Sequence, residues 1–218
     1  WSENSRLILP NARVGALNDT IDSWDRVKLD LVGFTYDRLG GLRATKDSIM
    51  AARPKEWLLE NWLAKQEGFE DTFVPQPFEQ LAKVLRASGH PVNANYLLMA
   101  KMNHLRDSPQ TTTLRKASLW LQYVLIGYGH RTWQAVLWFL GLSALGAWVC
   151  GRGATGPDMT RLERFWYSVD IAVPVFNLDK KHGAVELSKR CRTYFYFHQM
   201  AGFVLISFAL AGLSGLTK

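Results

Sequence analysis

Hydrophobic and polar positions are unevenly spread along the chain. Two stretches carry no charge: Thr132 to Cys150, set between Arg131 and Arg152, and Thr193 to Thr217, set between Arg192 and Lys218. At about 1.5 Å per residue each is long enough, as a helix, to cross a hydrocarbon layer of about 30 Å. The first holds Val136, Leu137, Phe139, Leu140, Leu142, Leu145 and Val149, which favours insertion by roughly 2–4 kcal/mol before the cost of Gln134, Ser143 and the glycines. The second holds Phe195, Phe197, Phe203 to Ile206, Phe208, Leu210, Leu213 and Leu216, worth roughly 3–6 kcal/mol, partly offset by His198 and Gln199. A core helix of a soluble protein normally keeps one polar stripe, and neither stretch shows one. Trp133, Trp148, Tyr194 and Tyr196 stand near the ends, where aromatic belts form. The pattern predicts two membrane spans, 132–150 and 194–216. The small residues in both, among them Gly141, Gly146, Ala201, Gly202 and Gly212, are read as packing the two helices into a hairpin.

Upstream the pattern changes twice. Residues 1–45 hold short apolar runs broken by turn residues, with Leu29 and Leu31 alternating against Lys28 and Asp30 as in a half-exposed strand. These strands are too few to close a core alone and read as the end of a β-solenoid or repeat region. Residues 46–117 read as a soluble helical platform. Its best helix starts at Pro54 and presents Trp57, Leu58, Trp62 and Leu63, and Gly68 ends it. Phe78 to Ser88 and Val92 to Arg106 then form a tetratricopeptide-like α-hairpin around a Gly89-His90-Pro91 turn. The first helix of the pair is expected to bury Phe78, Leu81, Ala82 and Leu85, and the second Ala94, Leu97, Leu98 and Met102.

Residues 118–218 read as the membrane domain. Residues 118–130 are too short to cross and are expected to lie in the interface as a helix ending at Gly127, with Arg115 and Lys116 before it. The connector 151–192 has an apolar middle, FWYSVDIAVPVFNL at 165–178, flanked by basic residues. Such a segment can dip into the bilayer and return, or lie along its surface. Arg115, Lys116, Arg131, Arg152, Arg192 and Lys218 are the expected membrane-interface cations.

The net charge of +7 suits an anionic lipid surface or a nucleic acid. With two spans present, a bilayer with anionic headgroups is the simpler partner, and no nucleic acid is expected. Cys150 and Cys191 make no CxxC motif, so neither a redox dithiol nor a zinc site is indicated. No signal peptide is read, and the start at Trp1 without Met reads as part of a longer chain. The positive-inside rule would put the basic connector in the cytoplasm, whereas the lack of a signal sequence favours a cytoplasmic soluble part, which is the reading adopted.

Several segments resemble the C-terminal half of bacterial membrane proteins that carry an upstream pentapeptide-like repeat region and are often labelled membrane-associated oxidoreductases. They are WLAKQ at 62–66, PQPFEQLAKVLRASGH at 75–90, GYGHRTW at 127–133, YSVDIAVPVFNLD at 167–179 and AGLSGL at 211–216, with GALNDTIDSW at 15–24 and LDLVGFTYDRL at 29–39 as the repeat end. The resemblance implies this architecture and a bacterial inner-membrane location, but no defined chemistry.

The residues give the oxidoreductase label no seat for a cofactor. Gly151-Arg152-Gly153-Ala154-Thr155-Gly156 matches GxGxxG by letter, but it follows a span and leads into Pro157. His130 and His198 could ligate a haem only from the same face, and as residues at the ends of antiparallel spans they are expected on opposite ones. Ser168 and Asp170 share one segment, but no His close in sequence completes a triad with them, and His104 and His182 stand apart. No cofactor, metal or catalytic residue is assigned. The alternatives are an oligomeric pore, with Asp170, Ser168 and Asn177 as lining residues, and a membrane-associated oxidoreductase, as the label of the resembling family implies. The reading adopted is a mainly α-helical membrane protein, a non-catalytic anchor or scaffold. It presents an upstream repeat surface to a protein partner and is open to homo-oligomerisation.

Overall fold

The computed structural model describes residues 5–40, 50–69, 71–155, 159–173 and 185–213. The chain divides into two compact units, Trp1–Trp120 and Leu121–Lys218.

In the first unit four short strands come first: β1 (Ser5–Ile8), β2 (Arg13–Leu17), β3 (Val27–Asp30) and β4 (Thr35–Leu39). β1 pairs with β3 in parallel, Ser5 facing Val27, and β2 pairs with β4 in parallel, Arg13 facing Thr35. Both pairings thus join residues 22 apart (27 − 5 and 35 − 13). The corner between strands keeps the same offset: Asn11 and Gly33 are both left-handed, and a Cβ on Gly33 would overlap the Asn11 side chain. Glycine is required there because it has both the positive φ and no side chain to place. The alternation read at 28–31 is present, with Val27, Leu29 and Leu31 buried and Lys28 exposed.

Helices cover one edge of these strands. α1 (Lys55–Glu60) begins after Pro54, and α2 (Gln76–Ala87) and α3 (Pro91–Asp107) form an α-hairpin. Proline suits the first turn, where its missing N–H has no partner to lose; Pro77 fills that place in α2 and Pro91 in α3. Phe78, Leu81, Ala82 and Leu85 are buried as the periodicity predicts, with Val84 beside them. In α3 Ala94 and Leu97 are buried and Leu98 packs on the same core, but Met99 is buried and Met102 only half-buried. Strand and helix residues share one cluster, from Val27, Leu29 and Tyr36 to Leu58, Trp62 and Leu97.

Three glutamines finish the strand edge. The Gln66 side chain accepts from Leu31 N, Gln76 accepts from Gly33 N and donates to Phe34 O, and Gln80 donates to Tyr36 O. Buried backbone groups left unpaired are costly, and the amide side chains replace the missing strand. Below them Arg53 grips Asp19 through two bonds of 2.9 Å, both side chains at least 95% buried. Trp24 Nε1 also donates to Asp19, and the guanidinium lies over the Trp57 ring.

α4 (Thr113–Ile126) runs across the division between the units. Gly127, Tyr128 and Gly129 follow it, all with positive φ, as the expected stop. In the second unit α5 (Trp133–Gly153) and α7 (Lys189–Leu213) run antiparallel, their near ends tied by Ser188 N to Gly153 O and by the two-residue strands β5 (Ala154–Thr155) and β6 (Glu186–Leu187). α6 (Arg161–Ala172) packs against both. It opens with a capping box in which Glu163 N donates to Thr160 Oγ1 and Thr160 N donates to Glu163 Oε2. The apolar segment 165–178, read as either dipping into the bilayer or lying along it, is helical through Ala172, and residues 174–184 lie outside the described residues.

α5 and α7 are both long and apolar enough to cross a membrane, and only 22% of each apolar window is buried. Both helices turn many of their large apolar side chains outward. α5 buries Ala135, Ser143, Gly146 and Cys150 and exposes Val136, Leu137, Trp138, Leu140, Leu145 and Trp148. α7 buries Phe195, His198, Gly202 and Leu205 and exposes Tyr196, Phe197, Met200, Phe203, Val204 and Leu210.

Candidate functional site

The buried faces of α5, α6 and α7 meet at one polar cluster. Gly146 is the opening in it: a Cβ there would overlap the Ser168 hydroxyl and come within 2.8 Å of His198 Cε1. That empty position lets α6 bring Ser168 against α5, while α7 brings His198 in from the other side. One turn further on, Gly202 of α7 lies against Ala172 of α6 with no room for a side chain. Small residues thus seat α6 between α5 and α7.

His198 Nε2 lies 3.0 Å from the Ser168 carbonyl oxygen and 3.1 Å from its hydroxyl, and His198 Nδ1 lies 3.2 Å from the Tyr194 hydroxyl. A carbonyl oxygen can only accept, so the geometry puts the ring proton on Nε2 and leaves Nδ1 to accept from the phenol. Phe195 meets the ring edge-on at 5.3 Å. His198 is 1% exposed and Ser168 0%.

This arrangement joins two residues that the sequence leaves apart. His198 is buried in the helix packing, thirty positions from the serine it meets. The antiparallel return of α7 makes a Ser–His pair where no partner close in sequence was visible. The pair lacks what nucleophilic catalysis needs. Nε2 carries its proton toward the carbonyl and cannot take one from the hydroxyl, the other ring nitrogen is held by a phenol, and the serine is fully buried. What the cluster can do is tie α6 to α7 by hydrogen bonds at a buried site. Ser143 Oγ, one turn from Gly146 on the same buried face, has no hydrogen-bond partner among the described residues.

The other sequence candidates lie apart. Asp170 is half-buried on α6, and Asn177 lies outside the described residues. Arg115 is exposed and Lys116 half-buried on α4; Arg131 is exposed before α5, Arg152 in its last turn and Arg192 in the first turn of α7; Lys218 lies outside the described residues. Gly151 and Gly153, the first glycines of the GxGxxG match, belong to the last turn of α5 and form no phosphate loop there. His104 stacks on Phe69 at 4.4 Å, and His182 lies outside the described residues. Cys150 is buried beside Tyr167 and Phe195, and Cys191 is half-buried; both are free thiols. Among the described residues no three His, Cys, Asp or Glu side chains gather as metal ligands. The signal for the polar cluster was in the sequence only as small residues in both spans and one histidine in the second.

Comparison with known proteins adds no relative: no protein-family model, no curated protein and no solved structure matches this chain.

Proposed function

We propose that the protein is a non-catalytic membrane anchor, with the 121–218 unit seated in a bilayer and the 1–120 unit presenting a β surface to a protein partner. The observation that carries this reading is the set of large apolar side chains that α5 and α7 turn outward, Leu137, Trp138, Leu140, Phe197, Phe203 and Leu210 among them, while Ser143, Gly146, His198 and Gly202 face the packing between helices together with Phe195 and Leu205. In water the outward set would be a costly apolar surface. In lipid it is the favourable one, because association there depends on close backbone approach and on buried hydrogen bonds. The Ser168–His198–Tyr194 cluster supplies such bonds and offers no open chemistry.

The β surface is read as the end of a stacked repeat. The 22-residue offset holds in both strand pairs, and glutamines close the β3–β4 side. β1 and β2 have no strand on their other edge among the described residues, so a further layer can be added there. The setting adopted is a bacterial inner membrane with the first unit in the cytoplasm. A pore draws less support, because Ser168, one of its lining residues, is enclosed by Gly146 and His198.

Fractionation tests the reading. The full chain should stay with membranes after alkaline carbonate, and residues 1–120 alone should move to the supernatant. A full chain extracted by carbonate would refute the anchor, and flavin or haem absorbance in the purified protein would refute the non-catalytic reading.

A further inference from the structure

The last turns of α5 and the first turn of α6 bring three arginines to one open cleft of about 660 Å³. Arg152, Arg161 and Arg164 line it together with Ala147, Trp148 and Gly151. The Arg152 guanidinium lies 3.8 Å from the centre of the Trp148 ring. Arg164 is fitted against the α5 backbone: a Cβ on Gly151 would come within 2.5 Å of its Nη1, so the glycine leaves the space that the guanidinium fills. Among the described residues no carboxylate forms an ion pair with any of the three. The dipole of α5 accounts for a cation at Arg152, in its last turn, but not for two more across the cleft. Like charges held together call for an anion between them, and the planar fork of arginine fits phosphate oxygens in pairs.

The surroundings select which phosphate. Leu145 and Trp148 on α5 and Leu162 and Trp166 on α6 are exposed around the same turns. Lys189, Arg190 and Arg192 stand at the start of α7, the end joined to Gly153. A basic cleft above an apolar surface matches a molecule with an anionic head and an apolar tail. We propose that Arg152, Arg161 and Arg164 hold the phosphate of an anionic glycerophospholipid, whose acyl chains lie along the exposed apolar surface of α5 and α6. The inference rests on the bilayer reading of α5 and α7 and goes beyond it by naming a site.

The test is native mass spectrometry of the detergent-solubilised full chain, titrated with phosphatidylglycerol or phosphatidylcholine. Phosphatidylglycerol should bind about tenfold or more tightly than phosphatidylcholine, and Arg161→Gln/Arg164→Gln should remove most of that preference. Lys189→Gln/Arg190→Gln takes the same charge from the same end outside the cleft and should keep most of it. Arg161→Gln alone, at an exposed position, decides the matter if the double variant does not fold; about a threefold loss is expected. Equal binding of the two lipids, or equal loss in both double variants, overturns the site. Displacement of phosphatidylglycerol by inorganic phosphate alone assigns the cleft to a free anion and overturns the lipid. The bilayer reading fails by a different result, release of the full chain from membranes by carbonate.

Discussion

Gly146 of α5 lies so close to Ser168 of α6 that any side chain at position 146 would overlap the serine hydroxyl. Three helices meet at this contact, so it constrains how α5, α6 and α7 pack. Gly146→Ala should destabilise it by roughly 1–3 kcal/mol, the usual range for overpacking. Gly141, on the same helix, has nothing within 4 Å of a Cβ. Gly141→Ala should therefore be neutral or gain up to about 1 kcal/mol from helix propensity. Thermal unfolding in detergent separates the two, and equal effects would contradict the packing.

The proton assignment at His198 predicts an unequal response from the residues of its cluster. Ser168→Ala removes the hydroxyl but keeps the carbonyl that accepts from Nε2, and should cost at most about 1 kcal/mol. His198→Ala loses the interhelical bonds and leaves a cavity, and should cost on the order of 2–4 kcal/mol. Tyr194→Phe should fall near Ser168→Ala. The same unfolding measurement checks all three. A serine variant as damaging as the histidine variant would mean that the hydroxyl is the main partner.

In the first unit the test is the buried pair Asp19 and Arg53. Asp19→Ala strands a guanidinium that is 5% exposed, and should cost roughly 3–5 kcal/mol in urea unfolding of residues 1–120. Replacing both partners, Asp19→Ala/Arg53→Met, should recover a large part of the loss, because no unpaired charge then remains buried.

Tyr36 gives a pH signature. Burial pushes its phenol well above the usual tyrosine value. The unfolded chain loses this proton near pH 10 while the folded chain keeps it, so the folded state binds more protons and stability falls as pH rises. The contribution is complete below about pH 10 and is lost progressively above it. Tyr36→Phe should flatten this alkaline loss, as followed by urea midpoints across that range.

The sequence made some of this architecture legible. Pro75, Pro77 and the Gly89-His90-Pro91 turn delimit α2 and α3, because proline and glycine act through local backbone geometry. α5 and α7 are legible as long apolar helices because their uncharged runs stand out in composition. The apolar run at 165–178 hides α6 in a longer segment, although Thr160-Arg161-Leu162-Glu163 spells a capping box. The Ser168–His198 contact was not legible. It depends on the antiparallel return of α7 and on Gly146 leaving room, neither of which a local pattern encodes. The Arg152–Arg161–Arg164 cleft arises in the same way, from a helix end and a helix start joined by a turn.

The central claim is that the outward faces of α5 and α7 meet hydrocarbon. Spin labels at Leu140→Cys and Phe203→Cys, in a Cys150→Ala/Cys191→Ala background reconstituted into liposomes, test it directly by collision with oxygen and with a water-soluble nickel chelate. Both labels should favour oxygen and be shielded from nickel, whereas a label at the exposed Lys83→Cys of α2 should favour nickel. Nickel access at positions 140 and 203 equal to that at position 83 would contradict the account.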